Sequence, residues 1–224
     1  MILTDDNFAT IIKAVANGRN VYRNIRNAIK FLLSGNMAGI LSVLYTSLMA
    51  LPTPFAPVHL LFINLVTDPL PAIAIGMERS TKDILKEKPR NPSVGILTPA
   101  TMKQLGIQGI LIAIVTMSAY FLGLKESWAI ATTMAFSTLC LSRLFHGFNC
   151  RSQRSLYRIG LFTNKYSILA FVIGFCFLNA ILLWQPLHSL FSVTTITMTQ
   201  LFTIYGLALI PTALIQLGRM LRHR

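Results

Sequence analysis

Long apolar stretches alternate with polar or charged segments along the whole chain, and this pattern predicts helices that cross a membrane. A helix needs about 20 predominantly apolar residues to span the hydrocarbon core of a bilayer. Stretches of this kind lie at residues 31–51, 58–77, 104–124, 128–148, 166–184 and 196–217. The sequence therefore predicts an all-α membrane protein with six transmembrane helices in residues 31–224, preceded by an amphipathic segment at residues 1–30.

Composition and charge point to the same class. Of the 224 residues, 54% are hydrophobic and only 12% are charged, whereas about a quarter are charged in an ordinary soluble domain. Six spans would use most of this apolar supply and leave little for a soluble catalytic domain. The net charge of +13 would suggest a nucleic-acid partner in a soluble protein. Here the basic residues lie between apolar stretches, so we expect the lipid bilayer as partner and no nucleic acid.

The positions of the basic residues predict the orientation of the chain. Loops on the cytoplasmic side of a membrane carry an excess of Lys and Arg. Of the 20 Lys and Arg residues, all but two fall in residues 1–30, 78–103, 149–165 and 219–224. The exceptions are Lys125, on the opposite side, and Arg143, within an apolar stretch. This distribution predicts that both termini are cytoplasmic.

Polar residues inside the second apolar stretch indicate an ion site. A charged side chain at the bilayer centre costs about 2.5–3.5 kcal/mol, so such residues usually have a function. The sequence places Asp68 and Arg143 at membrane depth. Asn64 and Thr67 precede Asp68 at a spacing that would put the three oxygen-bearing side chains on one face of a helix.

Two prolines strengthen the prediction. Pro69 and Pro71 have no backbone N–H, so carbonyl groups one turn earlier lose their partners and become available to an ion. Ca²⁺ takes six to eight oxygen ligands in irregular geometry, although Na⁺ and K⁺ also bind oxygen. The alternative is that Asp68 pairs with Arg143 while the other polar side chains only form hydrogen bonds between helices.

Asn36 is the main polar residue of the first apolar stretch. It is flanked by Ser34, Gly35 and Gly39. Small residues of this kind allow close helix packing, with one hydrogen bond from the asparagine to a neighbouring helix. A role as an ion ligand is equally compatible with the sequence.

Several segments together resemble a known family. The segment 64–72, with the sequence Asn-Leu-Val-Thr-Asp-Pro-Leu-Pro-Ala, closely resembles the sixth membrane helix of P-type cation-transporting ATPases of the calcium-pump kind, and residues 57–63 lead into it. Residues 18–30 are similar to the stalk before the family's fifth helix, and residues 34–36 match the polar stretch of that helix. Residues 145–149 resemble the end of the eighth helix.

The resemblance implies an arrangement for the whole chain. The six spans correspond to helices five to ten of a bacterial, type IIA calcium pump. Residues 1–30 correspond to the end of the phosphorylation domain, at residues 2–8, followed by the cytoplasmic stalk. We therefore expect a multi-pass protein of the plasma membrane that exports Ca²⁺ in an ATP-driven pump.

The resemblance also implies ligands for the transported ion. Asn64 and Asp68 would bind Ca²⁺ through side-chain oxygens, and Thr67 and Asn36 match positions that serve a second calcium site in two-site members.

Two departures from the family pattern affect that second site. Gly39 and Arg143 stand where two-site pumps have glutamates. The loss of two carboxylates and the gain of a cation, which repels Ca²⁺ at low dielectric, predict one Ca²⁺ per cycle.

Motifs for ATP chemistry are absent from the 224 residues. The phosphorylation sequence Asp-Lys-Thr-Gly-Thr does not occur, nor does a phosphate-binding Gly-x-x-x-x-Gly-Lys loop. ATP and Mg²⁺ would act only through the N-terminal portion of the same pump, and the chain alone is not expected to hydrolyse ATP. Met1 resembles an internal methionine of the family, which suggests a truncated or split gene or a fragment.

Two other interpretations stay open on the sequence. A self-contained six-helix secondary transporter or channel would show an inverted repeat, with polar residues in both halves. A truncated, non-functional remnant is the third possibility, although an intact Asn64, Thr67 and Asp68 group argues against decay.

Overall fold

The computed structural model describes residues 8–80, 84–86 and 95–222. Within these residues there is no β-strand, and six helical segments are long and apolar enough to cross a membrane. The predicted all-α fold with six transmembrane helices is confirmed. Residues 1–7, which include most of the predicted end of the phosphorylation domain, lie outside the described part, as do Lys82, Lys88 and Arg90.

The helices are numbered in chain order. They are α1 (Phe8–Leu48), α2 (Pro57–Phe62), α3 (Pro69–Gly76), α4 (Pro99–Leu124), α5 (Trp128–Cys150), α6 (Leu156–Ile159), α7 (Lys165–Leu183), α8 (Pro186–Phe191) and α9 (Met198–Arg222). The six candidate spans are α1, the segment Pro57–Gly76 that holds α2 and α3, and the helices α4, α5, α7 and α9.

Helix α1 is continuous through the predicted stalk and the first apolar stretch. Its 41 residues, at 1.5 Å per residue, make it about 60 Å long, whereas the hydrocarbon core of a bilayer is about 30 Å thick. Because the apolar part begins near Phe31, the preceding turns extend beyond the membrane on one side. The same helix therefore connects the extramembrane segment to Asn36.

The second span is interrupted in the middle. A π-helical turn, Ile63–Thr67, separates α2 from α3. The Asp68 amide donates to the Ile63 carbonyl at 2.9 Å, which is an i to i−5 hydrogen bond. Pro69 and Pro71 follow directly and have no N–H to continue a regular helical ladder. Single π-helical turns of this kind are frequent at functional sites.

Helix α5 forms the centre of the bundle. It packs against α1, α3, α4, α7 and α9, and large side chains such as Phe136, Leu139 and Leu144 are almost completely buried along it. Polar residues of α5 such as Thr133, Ser137 and His146 are buried as well, because other helices surround it. Arg143 is consequently held inside the bundle by the helix that carries it.

Helices α4 and α5 approach most closely near the turn between them. A Cβ atom on Gly123 would lie 2.7 Å from the Ala131 Cα atom, which is a backbone atom and cannot rotate away. Gly106 lies on the same helix, and no atom lies within 4 Å of a Cβ built there. The two glycines thus differ in whether a side chain can be accommodated.

We expect Gly123→Ala to destabilise the protein by about 1–3 kcal/mol, the usual cost of overpacking. Gly106→Ala, the matched control, should be neutral or stabilising by about 0.5–1 kcal/mol because alanine is the better helix former. Thermal unfolding in detergent would measure both. Equal effects of the two substitutions would contradict the close approach of α4 and α5.

Candidate functional site

A buried ion pair lies at the centre of the bundle. Nη2 of Arg143, on α5, contacts Oδ1 of Asp68, which follows the π-helical turn. The two residues are only 2% and 5% exposed. A carboxylate and a guanidinium are each expensive to bury alone, so each compensates the other. The structure thus contains the pairing that the sequence left as one of two alternatives.

Helix α1 completes the environment of the guanidinium. Nη2 of Arg143 also donates to Oδ1 of Asn36 at 3.1 Å. A Cβ atom on Gly35 would lie 2.6 Å from Cζ and Nε of Arg143, so glycine is required for the guanidinium to lie against α1. Asp68, Asn36 and Arg143, three of the residues singled out in the sequence, are therefore brought together from three separate spans.

Of the three residues predicted to share one face, Thr67 and Asp68 are buried and Asn64 is exposed, so they differ in environment. Thr67 is fully buried and its hydroxyl donates to the Ile63 carbonyl at 3.2 Å. Asn64 lies on the surface of the six-helix domain.

The donor set contains a single carboxylate. The side chains offer one carboxylate at Asp68, two amides at Asn36 and Asn64, and the hydroxyl of Thr67. Among the residues that the structure describes, no group of three or more His, Cys, Asp or Glu side chains could hold a metal ion. Oxygen donors of these kinds suit a hard cation such as Ca²⁺.

A polar cluster that was not predicted from the sequence lies ten residues beyond Asp68, around Glu78. Glu78 accepts from Nε of Arg151 at 2.8 Å and from its Nη2 at 3.1 Å. Asn164 Nδ2 donates to Oε2 of Glu78 at 2.8 Å, and Asn24 Nδ2 donates to the Glu78 carbonyl at 2.7 Å. The cluster ties the segment after α3 to α1 and to the start of α7. A signal existed in the asparagines of α1, which recur at positions 20, 24 and 27.

Taken together, an interrupted span, a buried ion pair beside it and an amide group on an adjacent span define a helical membrane domain with a charged interior. A family model described as "Cation transporting ATPase, C-terminus" matches residues 52–221. The chain belongs to this family, and the resemblance seen in the sequence is confirmed.

Relatives with high similarity carry names that refer to calcium transport. The calcium-transporting ATPase of Bacillus subtilis (strain 168) is 38% identical over 218 residues, which cover 96% of this chain and 24% of the relative. Calcium-transporting ATPase 1 of Lactococcus lactis is 41% identical over 177 residues, covering 79% and 20%. The human calcium-transporting ATPase type 2C member 1 is 30% identical over 213 residues, covering 92% and 23%. The chain thus spans about a quarter of the length of these relatives.

The ion pair generates a stability prediction. Arg143→Met leaves the Asp68 carboxylate buried and uncompensated, so we expect a loss of about 3–5 kcal/mol in the free energy of unfolding. The double variant Asp68→Asn/Arg143→Met removes both charges and should recover most of that loss. Thermal unfolding in calcium-free detergent would measure Arg143→Met, Asp68→Asn and the double variant.

Lys125→Met is the matched control, because Lys125 is exposed and lies in the turn directly after α4. It should change stability by less than about 0.5 kcal/mol. If the effects of the two site substitutions simply add, the residues are not coupled and the ion pair is contradicted.

Proposed function

We propose that this chain is the ion-translocating membrane part of an ATP-driven calcium export pump of the plasma membrane, with Asp68 at a single Ca²⁺ site. The observation that carries the proposal is the buried Asp68 carboxylate beside an interrupted membrane span. The calcium-transporting relatives support the choice of ion. ATP and Mg²⁺ would act through the cytoplasmic domains of the pump, which would be the partner of this chain.

The position of Arg143 supports one calcium site. Its guanidinium contacts Asp68 and hydrogen-bonds Asn36. By resemblance, Asn36 would serve a second site in two-site members, and here its oxygen is already engaged by a cation. A second Ca²⁺ beside the guanidinium would meet a fixed like charge at low dielectric. The Gly39 position adds no charge to offset that repulsion.

Calcium and Arg143 would compete for the same carboxylate. Ca²⁺ can bind Asp68 only when the guanidinium moves aside, and the guanidinium can return when the ion leaves. Nε of Arg143 is buried and has no hydrogen-bond partner within the described residues, so the present arrangement does not satisfy the guanidinium fully. Arg143 would thus serve as a tethered counter-ion that keeps the empty site neutral.

Further ligands would come from beyond these side chains. Ca²⁺ takes six to eight oxygens, more than Asp68, Asn64, Thr67 and Asn36 supply. Asn64 and Asn36 both lie on the surface of the six-helix domain. A site at this surface would be completed by backbone carbonyls, water and the N-terminal portion of the pump packed against it.

Helix α1 offers a route for coupling to ATP. It carries Gly35 and Asn36 against Arg143 and continues as one helix beyond the membrane. A force on the extramembrane turns would tilt the helix and change the contact of the guanidinium with α1. A rigid helix shared by two sites is a physical basis for coupling between them.

A chimaera tests the proposed function. This chain would replace the corresponding C-terminal quarter of the Bacillus subtilis relative, and inverted vesicles would be assayed for calcium-dependent ATP hydrolysis and radioactive calcium uptake. We expect the chimaera to show both activities and to move one Ca²⁺ per ATP hydrolysed. Both activities should be lost in Asp68→Asn, because a neutral amide is a much weaker Ca²⁺ ligand than a carboxylate.

Glu126→Gln is the matched acid control, since its Oε1 accepts from Gln200 at 2.8 Å and it lies between α4 and α5, away from Asp68. It should retain activity. Activity that survives Asp68→Asn, or two Ca²⁺ per ATP, would refute the proposed single site. Calcium uptake by the unmodified chain alone without ATP would favour the self-contained transporter instead.

Competition at Asp68 gives a separate prediction. Arg143→Gln in the chimaera removes the competing cation, so the apparent calcium affinity should rise by at least about tenfold. The affinity is read from the calcium dependence of ATP hydrolysis, with Lys125→Gln as control. An unchanged or weakened affinity would show that Arg143 does not compete with calcium.

A further inference from the structure

A buried histidine lies one turn beyond Arg143 on α5 and contacts α1. His146 is completely buried, and so is Ser34 on α1. Nε2 of His146 lies 3.0 Å from Oγ of Ser34, which is a hydrogen bond between two spans. Residues three apart lie on the same side of a helix. Arg143 and His146 therefore meet α1 from neighbouring positions on α5.

The groups around His146 determine which ring nitrogen carries the proton. The Ser34 hydroxyl donates to the Phe31 carbonyl at 3.0 Å, so its oxygen is left to accept from Nε2 of His146. Nδ1 of the ring lies 3.5 Å from Nδ2 of Asn149, which can only donate. Sγ of Cys150, a weak acceptor, lies 3.2 Å from Nε2. These contacts are all compatible with a ring that is protonated at Nε2 alone.

Helix α9 holds the end of α5 that carries this histidine. Nδ2 of Asn149 donates to Oγ1 of Thr212 at 3.1 Å, and Oδ1 of Asn149 accepts from Nε2 of Gln216 at 2.6 Å. The Asn149 carbonyl accepts from Nη1 of Arg219 at 2.8 Å. His146 is consequently part of a polar network that reaches from α9 through α5 to α1.

Three consecutive residues of α1 meet the same turn of α5. Ser34 accepts from His146, and Asn36 accepts from Nη2 of Arg143 at 3.1 Å. Between them, a Cβ atom on Gly35 would lie 2.6 Å from the guanidinium, so the backbone of α1 confines that group. The bond between Ser34 and His146 thus fixes α1 one residue away from the point where it confines the guanidinium.

We propose that His146 is a positioning residue for the ion pair, because its hydrogen bond to Ser34 keeps α1 against the guanidinium and thereby keeps Arg143 on Asp68. The effect on calcium rests on the proposed competition between Arg143 and Ca²⁺. His146 acts only through Arg143 and binds no ion itself. When the bond is lost, α1 can draw back, the guanidinium gains room to leave the carboxylate, and Ca²⁺ binds more easily.

The hydrogen bond is tested in the unmodified chain without calcium. Nitrogen-15 NMR of histidine-labelled protein in lipid bilayers distinguishes the two ring tautomers. The signal of His146, identified by its absence in His146→Gln, should show a protonated Nε2 and an unprotonated Nδ1. Ser34→Ala removes the acceptor, so it should shift the Nε2 signal of His146 and leave the other three histidines unchanged.

The same calcium-free samples, labelled at arginine, report on the ion pair. In the unmodified chain Nη2 of Arg143 is held by Asp68 and Asn36, so rotation of the guanidinium should be slow and its two Nη signals separate. Arg143→Gln identifies these signals. In His146→Leu and in Ser34→Ala the two signals should merge, because the confined guanidinium becomes free to rotate.

The consequence for calcium is tested in the chimaera with the Bacillus subtilis relative. His146→Leu replaces the ring by an apolar side chain of similar volume. The apparent calcium affinity of ATP hydrolysis should then rise about fivefold, the factor that corresponds to one hydrogen bond. Ser34→Ala is the smaller change and should give the same shift. His146→Gln keeps an N–H donor and should retain the original affinity.

A background without the guanidinium separates positioning from general destabilisation. In Arg143→Gln, the further change His146→Leu should leave the calcium affinity unaltered, because no guanidinium remains to be released. His188→Leu is the matched control, since Nε2 of His188 lies 3.1 Å from the Leu182 carbonyl, at α8 and away from the ion pair. It should leave the affinity unchanged.

Three results would overturn the proposal. They are a His146 ring protonated at Nδ1 alone, Arg143 signals that stay separate in both His146→Leu and Ser34→Ala, and a calcium shift that persists in the Arg143→Gln background. A chimaera without calcium-dependent activity would instead refute the proposed function. The histidine and arginine signals would still decide whether His146 positions the ion pair.

Discussion

The pairing of Asp68 with Arg143 is the constraint on which the arrangement of the bundle depends. Either charge alone at this depth would be expensive, so α5 and the second span must stay in contact at this point. The guanidinium reaches the carboxylate because α5 is enclosed by other spans. It also lies against α1, which is possible only because residue 35 is glycine. One electrostatic requirement thus fixes the relative positions of three spans.

The interrupted second span carries buried and exposed oxygen-bearing side chains close together in the chain. Thr67 and Asp68 are buried, whereas Asn64, within the π-helical turn, is exposed. The oxygens are therefore divided between the interior and the surface.

The six spans could be predicted because crossing a bilayer requires a long apolar stretch, and each stretch is continuous in the sequence. Asp68 and Arg143 were found because charges at membrane depth are rare. Their contact could only be offered as an alternative, since the residues lie far apart in the chain. Pro69 and Pro71 reveal that the helix is disturbed, but not that it takes an i to i−5 register. Lys30 resembled an ordinary stalk cation, because its burial depends on packing with distant helices.

Helix α1 carries both Asn36, which contacts Arg143, and Lys30, which is largely buried at one end of the bundle. Lys30 and Asn36 are six residues apart, or about 9 Å along the helix axis. A tilt of α1 that moves Asn36 relative to Arg143 must also move Lys30 relative to Arg219, which is fixed to the end of α5.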